Sequence, residues 1–185
     1  MRLTDVRNLL QGTVLLLLVT AMAGATQASG DPGLVLELDR ERFEVVARDA
    51  GTGETGPRAR IVLGSPASDT PSGEYRVGRL ILNPAWTPSD AAQEAGATRM
   101  PPSLDGPMGV AKIPFAETGS IALHGGGDAL LLGKPVSGGC VRTLDADLLR
   151  IAAWLLERDA LAPAEVRPNG EIHRSFQRPV LLHVR

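Results

Sequence analysis

The chain holds one cysteine, Cys140, and the residues around it are those a thiol needs in order to attack a carbonyl. Only the thiolate is nucleophilic, so the sulfur requires a base or a cationic neighbourhood. His124 stands sixteen residues upstream as the candidate base, and Arg142 follows two residues after the sulfur. Glycines crowd both positions, as His124-Gly125-Gly126-Gly127 and as Ser137-Gly138-Gly139-Cys140. Residues without a β-carbon let the backbone approach a ligand closely and adopt dihedrals that side chains forbid. The backbone N–H groups of Gly138, Gly139 and Cys140 are candidate oxyanion donors, and Ser137 is expected to fix the turn with its hydroxyl. A helix beginning just after Thr143 would add its positive end to the influences that lower the thiol pKa. The alternative for a lone thiol, a small buried hydrophobe, leaves the flanking glycines and histidine unexplained.

The elements that must hold this constellation are mostly strands. Leu34–Asp39 and Arg42–Arg48 alternate as half-buried strands do, with Asp39-Arg40-Glu41 as the hairpin turn. Residues 51–57 read as a loop, 59–64 as a third strand and 73–82 as a fourth. Residues 83–119 contain six prolines and little periodicity, which predicts a long irregular flap facing substrate. Ser120–His124 reads as a strand ending on the histidine, and 178–185 as a final strand. One helix is clear, over 145–158. Leu144, Leu148, Ile151 and Leu155 recur at helical spacing, Leu149, Ala152 and Leu156 widen the apolar face, and Thr143 is the candidate N-cap. The expected fold is therefore mainly β with one substantial α-helix after the cysteine.

A length of 185 residues suits one domain. The formal charge is −2 with scattered Lys and Arg, which gives no footprint for nucleic acid or an anionic membrane surface. Residues 1–28 have Arg2 and Arg7, then the apolar run around Val14–Val19 and Ala21–Ala23, then small residues: the order of a secretory signal peptide, with cleavage after Ala25 or Ala28. The apolar run is about ten residues, short of the ~20 a spanning helix needs. The expected mature protein, 29–185, is an exported single domain with no transmembrane segment. No spacing of the three histidines with the cysteine matches a zinc site, and no cofactor is expected.

These residues resemble the L,D-transpeptidase catalytic domain, the YkuD domain. His124-Gly125, a spacer, then Ser137, Gly139-Cys140, Val141 and Arg142 match its His-Gly and Ser-His-Gly-Cys-apolar-Arg signature in order and spacing. Upstream, Thr70-Pro71-Ser72-Gly73-Glu74-Tyr75 resembles its Thr-Pro-x-Gly-x-aromatic strand entry, and Asn83-Pro84-Ala85-Trp86 its Pro-x-Trp segment. The likeness runs from about Leu34 to Val184. One position departs: Gly138 stands where the family usually has a second histidine.

The resemblance implies a YkuD-like β-sandwich and an enzyme of the bacterial cell wall. Cys140 would attack the L-centre carbonyl of diaminopimelate in a tetrapeptide stem, expel D-alanine, and pass the acyl group from a thioester to an amine. The acceptor would be another peptidoglycan stem peptide, a D-amino acid or an outer-membrane lipoprotein, and the compartment the periplasm. Arg142 would bind a substrate carboxylate or position the loop. Two other readings use the same residues: a cysteine hydrolase in which water is the acceptor, and, given Gly138, a wall-binding module without turnover. Trp86 and Tyr75 are expected to pack rather than stack on substrate, Asp128 to be a solvated loop carboxylate, and His173 and His183 to be structural.

Overall fold

A computed structural model describes residues 33–115 and 120–185; the leader expected over 1–28 lies outside them. The strands are β1 (Leu34–Asp39), β2 (Glu44–Asp49), β3 (Thr55–Arg60), β4 (Leu63–Gly64), β5 (Gly73–Arg76) and β6 (Arg79–Leu82). After a short helix α1 (Asp90–Glu94) come β7 (Ala111–Phe115), β8 (Ile121–His124), β9 (Pro135–Ser137) and β10 (Val141–Arg142). The long helix α2 (Asp145–Glu157) precedes β11 (Glu165–Val166), β12 (Ile172–Ser175) and β13 (Val180–Val184).

These form a five-stranded sheet in the order β3-β2-β1-β13-β5, a six-stranded sheet β10-β8-β7-β6-β12-β11 and a two-stranded pair β4-β9. Strict alternation buries Leu34, Leu36 and Leu38 of β1 beside Val180, Leu182 and Val184 of the parallel neighbour β13. The β1–β2 turn is closed by Asp39, whose Oδ1 accepts the N–H groups of Glu41 and Arg42 at 3.0 and 2.9 Å. The two large sheets and α2 share one apolar core that includes Ile61, Leu80, Ile113, Leu123, Leu148 and Leu155.

The architecture is the mainly β one expected, with three local differences outside α2. Strand β3 begins at Thr55, inside the stretch read as a loop. Gly56 is there because α2 packs on β3, and a β-carbon at that position would strike the Trp154 indole. Residues 73–82 are two strands, not one: at Val77-Gly78 the chain leaves the five-stranded sheet and enters the six-stranded one. The segment 83–119 is not irregular throughout, because α1 and the internal strand β7 lie within it. Its Pro114 is tolerated because the β6 ladder on that side stops at Lys112, so the missing N–H interrupts no bond.

Helix α2 also differs on two counts. Leu149 and Leu156 are exposed, and Trp154 takes the buried place instead, with the Arg158 guanidinium 3.9 Å from the centre of its ring. Leu144, not Thr143, is the N-cap and makes no side-chain cap. The Thr143 hydroxyl turns away to donate to the Arg60 carbonyl at 2.9 Å, and Asp145 and Asp147 supply the negative charge that the first turn favours.

Candidate active site

Pairing register places the candidate residues on one face of the six-stranded sheet. Ile81 of β6 faces Lys112 of β7, Lys112 faces His124 of β8, and His124 faces Arg142 of β10. Paired residues project to the same side, so these four side chains make one row across four strands. Cys140 lies two residues before Arg142 on the same side, next to the Ala122 end of β8. A cleft of about 790 Å3 opens over this face, and His124, Cys140, Arg142, Lys112, Trp86 and Gly138 all line it.

His124 is 2% exposed, and its Nδ1 lies 2.7 Å from the Gly125 carbonyl oxygen. That contact assigns the proton to Nδ1 and leaves Nε2 with the lone pair that can accept a proton. Burial is the main cause that lowers the His124 pKa to about 4, with Arg142 and Lys112 acting in the same direction against the carbonyls of Gly125 and Met108. The resting imidazole is neutral.

The Cys140 thiol is half-buried, and burial pushes its pKa up; a hydrogen bond with the Ala122 backbone and the charges of Arg142 and Lys112 pull it partly back. This corrects the expectation that every influence favours thiolate. Desolvation outweighs the cations Arg142 and Lys112. The resting pair is therefore a thiol and a neutral imidazole.

The turn carrying the sulfur is tied from both sides. Ser137 Oγ donates to the Cys140 carbonyl at 2.6 Å and accepts the Gly139 N–H at 3.2 Å, which is the turn-fixing role expected of it. Thr70, fully buried, donates to the Gly139 carbonyl at 2.9 Å and accepts the Gly64 N–H at 2.9 Å. Both peptide planes flanking Cys140 are thus set by hydroxyls. Because Gly139 N–H is engaged by Ser137, the candidate oxyanion donors narrow to Gly138 and Cys140, whose N–H groups bond to nothing among the described residues. Gly139 has φ +109°, which only glycine adopts without strain. Gly138 has no such need, and a β-carbon there would meet open space.

Gly126 is held by Asp145 at the start of α2, whose Oδ1 accepts the N–H groups of Val110 and Gly126 at 3.0 and 2.9 Å, while the Gly125 N–H donates to the Ala111 carbonyl at 3.0 Å. A β-carbon on Gly125 would collide with that carboxylate. The Arg142 backbone pairs with Val62 in both directions, at 2.8 and 3.0 Å, and its Nε is buried without a partner among the described residues.

Thr70, Lys112 and Asp145 are site residues that sequence reasoning missed in these roles, because each reaches the site through contacts distant in sequence. Trp86 lines the cleft wall, whereas Tyr75 packs against Phe115 with ring centres 5.2 Å apart. Asp128 is exposed and caps its own turn through the Leu130 N–H at 2.8 Å. His173 does have a partner, Glu171, at 3.2 Å from its Nε2, and His183 approaches Glu74.

Residues 34–167 match the model of the L,D-transpeptidase catalytic domain, YkuD, and the chain belongs to that family. Among solved structures it is similar to the catalytic domain of the E. faecium L,D-transpeptidase acylated by ertapenem, at 16% identity and a TM-score of 0.53, covering 83% of this chain and 97% of that one. It is also similar to L,D-transpeptidase 3 from Mycobacterium tuberculosis in complex with a faropenem-derived adduct, at 16% identity and a TM-score of 0.52, covering 82% and 60% of the two chains. The chain spans 59% of the length of the L,D-transpeptidase from Mycobacterium smegmatis, with which it shares 15% identity over 82% of itself at a TM-score of 0.49. At these identities the likeness is one of fold. No curated protein sequence matches the chain.

Proposed function

We propose that the protein is a cysteine acyltransferase of peptidoglycan, an L,D-transpeptidase with Cys140 as nucleophile and His124 as general base. The observation that carries this reading is the shared sheet face: a thiol and a neutral imidazole with its Nδ1 anchored on Gly125 open into one cleft. His124 Nε2 takes the thiol proton as sulfur attacks the L-centre carbonyl of diaminopimelate in a tetrapeptide stem. The oxyanion forms against the N–H groups of Gly138 and Cys140. Collapse breaks the bond to D-alanine, His124 returns the proton to that amine, and a thioester remains on Cys140. An incoming amine then loses its proton to His124 and takes the acyl group, the thioester C–S bond breaks, and His124 returns that proton to the Cys140 sulfur.

The acceptors proposed are a second stem peptide, a D-amino acid or an outer-membrane lipoprotein, and the residue 1–28 pattern supports export to the periplasm as a single domain over 29–185. Incubating the protein with tetrapeptide muropeptides and a D-amino acid, then separating products by mass, tests the reading. Cross-linked dimers or exchanged stems, both lost in Cys140→Ala, are the expected result. Shortened monomers alone would make it a hydrolase, and no acylation of Cys140 by stem or carbapenem would leave a wall-binding module.

A further inference from the structure

The cleft carries charge of one sign. Arg79, Lys112 and Arg142 line it, and no aspartate or glutamate does among the described residues, although the chain as a whole has a net charge of −2. A cationic hollow in an acidic protein selects anions. None of the three takes part in the proton transfers above, and Lys112 is the one whose charged end a backbone carbonyl pins in place.

Its placement is specific. Lys112 sits beside His124 in register, one strand further from the thiol. Its Nζ donates to the Ala85 carbonyl at 2.9 Å, which fixes the ammonium at the foot of the Trp86 wall and leaves it two more donors. The acid nearest in influence, Glu171, is engaged elsewhere: it accepts the Ala85 N–H at 2.8 Å and also meets Asn169 and His173, both at 3.2 Å. Strands β7 and β10 are separated by β8 alone, hence by about 10 Å. A donor whose carbonyl meets Cys140 can reach Lys112 only with a group several bonds down a side chain.

We propose that Lys112 is a specificity residue whose ammonium, pinned on Ala85 and one strand from His124, binds a free carboxylate at the far end of the acyl donor's side chain. The assignment rests on the acyl-transfer reading and narrows it: the donor is a diaminopimelate-type residue whose second carboxylate is not amidated. A charge-assisted bond of this kind discriminates by roughly 10- to 100-fold.

The test uses two synthetic tetrapeptides that differ only in whether that side-chain carboxylate is free or an amide. Wild-type protein is expected to favour the free acid by about 10-fold or more in kcat/KM, chiefly through KM. Lys112→Gln should weaken the free-acid donor alone and erase the preference, while Lys112→Arg, which keeps the charge, should retain most of it. Equal use of both donors by the wild type, or an unchanged preference in Lys112→Gln, overturns the assignment. If neither donor turns over, the acyl-transfer reading is what has failed. Lys112 is then judged by calorimetric binding of the two peptides to Cys140→Ala: tighter binding of the free acid supports the assignment, and equal affinities defeat it. The donor pair needs no lysine variant, so a variant that fails to fold does not block the decision.

Discussion

Between Ser137 and Thr143, on the sulfur side of the cleft, three hydroxyls tie the backbone: distant Thr70 on Gly139, local Ser137 on Cys140, and Thr143 of the segment itself on distant Arg60. The opposite wall, residues 83–110, is held more sparsely. Trp86 and Met100 exchange two backbone bonds at 3.1 and 3.0 Å, α1 has five residues, and Met100 and Leu104 are 38% and 57% exposed. The side that carries the thiol is over-determined, and the opposite side is more loosely tied. Atoms in a reacting centre must be placed to a fraction of an ångström, whereas segments with few buried contacts open at low free-energy cost and accommodate different occupants.

The comparison breaks first at Thr70. Thr70→Val keeps the shape but strands two buried backbone groups, the Gly139 carbonyl and the Gly64 N–H. At ~1–3 kcal/mol for each unsatisfied group, the loss of stability should be about 4 kcal/mol. The turnover rate should fall by about 10- to 100-fold with KM little changed, because the Cys140 N–H loses its fixed direction. Thr70→Ser should restore both. Denaturant melts and steady-state kinetics on the three proteins check this. A KM effect without a kcat effect would mean the hydroxyl shapes binding instead.

Burial of His124 gives the next largest effect. Its folded pKa of about 4 lies below the usual 6.5, so at intermediate pH the unfolded chain binds a proton that the folded one does not. Stability is full above pH 6.5 and declines as pH falls toward 4, by on the order of 3 kcal/mol. The acid limb of kcat/KM should likewise lie near pH 4, since His124 remains a base down to that point. Melts of wild type and His124→Gln across this range separate the effect from the carboxylates, and a limb near 6.5 would mean that the imidazole is solvated.

The smallest effect is expected at Gly138, where the fixed side of the cleft resembles the open wall. A β-carbon there meets nothing, so Gly138→His, the residue usual in the family, should fold with a melting temperature within about 2 °C of wild type. A fall much beyond that would show that the turn needs glycine at 138 as it does at 139.

The sequence displays what depends on local pattern. The β1–β2 hairpin, the strand into His124 and the helix after Cys140 are legible because alternation and helical spacing are written into neighbouring residues. Strand β7 is not, although Ala111, Ile113 and Phe115 alternate, because Pro114 reads as a breaker until the end of the β6 ladder is known. The glycines mark the site, yet what positions it does not show. Thr70, Asp145 and Lys112 reach the site across 69, 35 and 27 residues in their key hydrogen bonds, and nothing local distinguishes them from ordinary loop, helix and strand residues. The Cys140 electrostatics are illegible for the same reason: Arg142, a cation near in sequence, is visible, while desolvation belongs to the assembled fold.

The parallel pair β1–β13 joins Leu34 to Val180 at the middle of the five-stranded sheet. A chain that emerges from its N-terminal end first therefore makes β1 and β2 early but leaves one edge of β1 open until almost the last residue has arrived. Closing so long a loop makes folding slow. Completion is also all-or-none with respect to the final strand: a chain ending before residue 180 lacks the partner of both β1 and β5. Such a polypeptide stays unfinished for as long as it is being made or moved, a kinetic property that the proposed export would use, and reaches its complete sheet only once its last strand has docked.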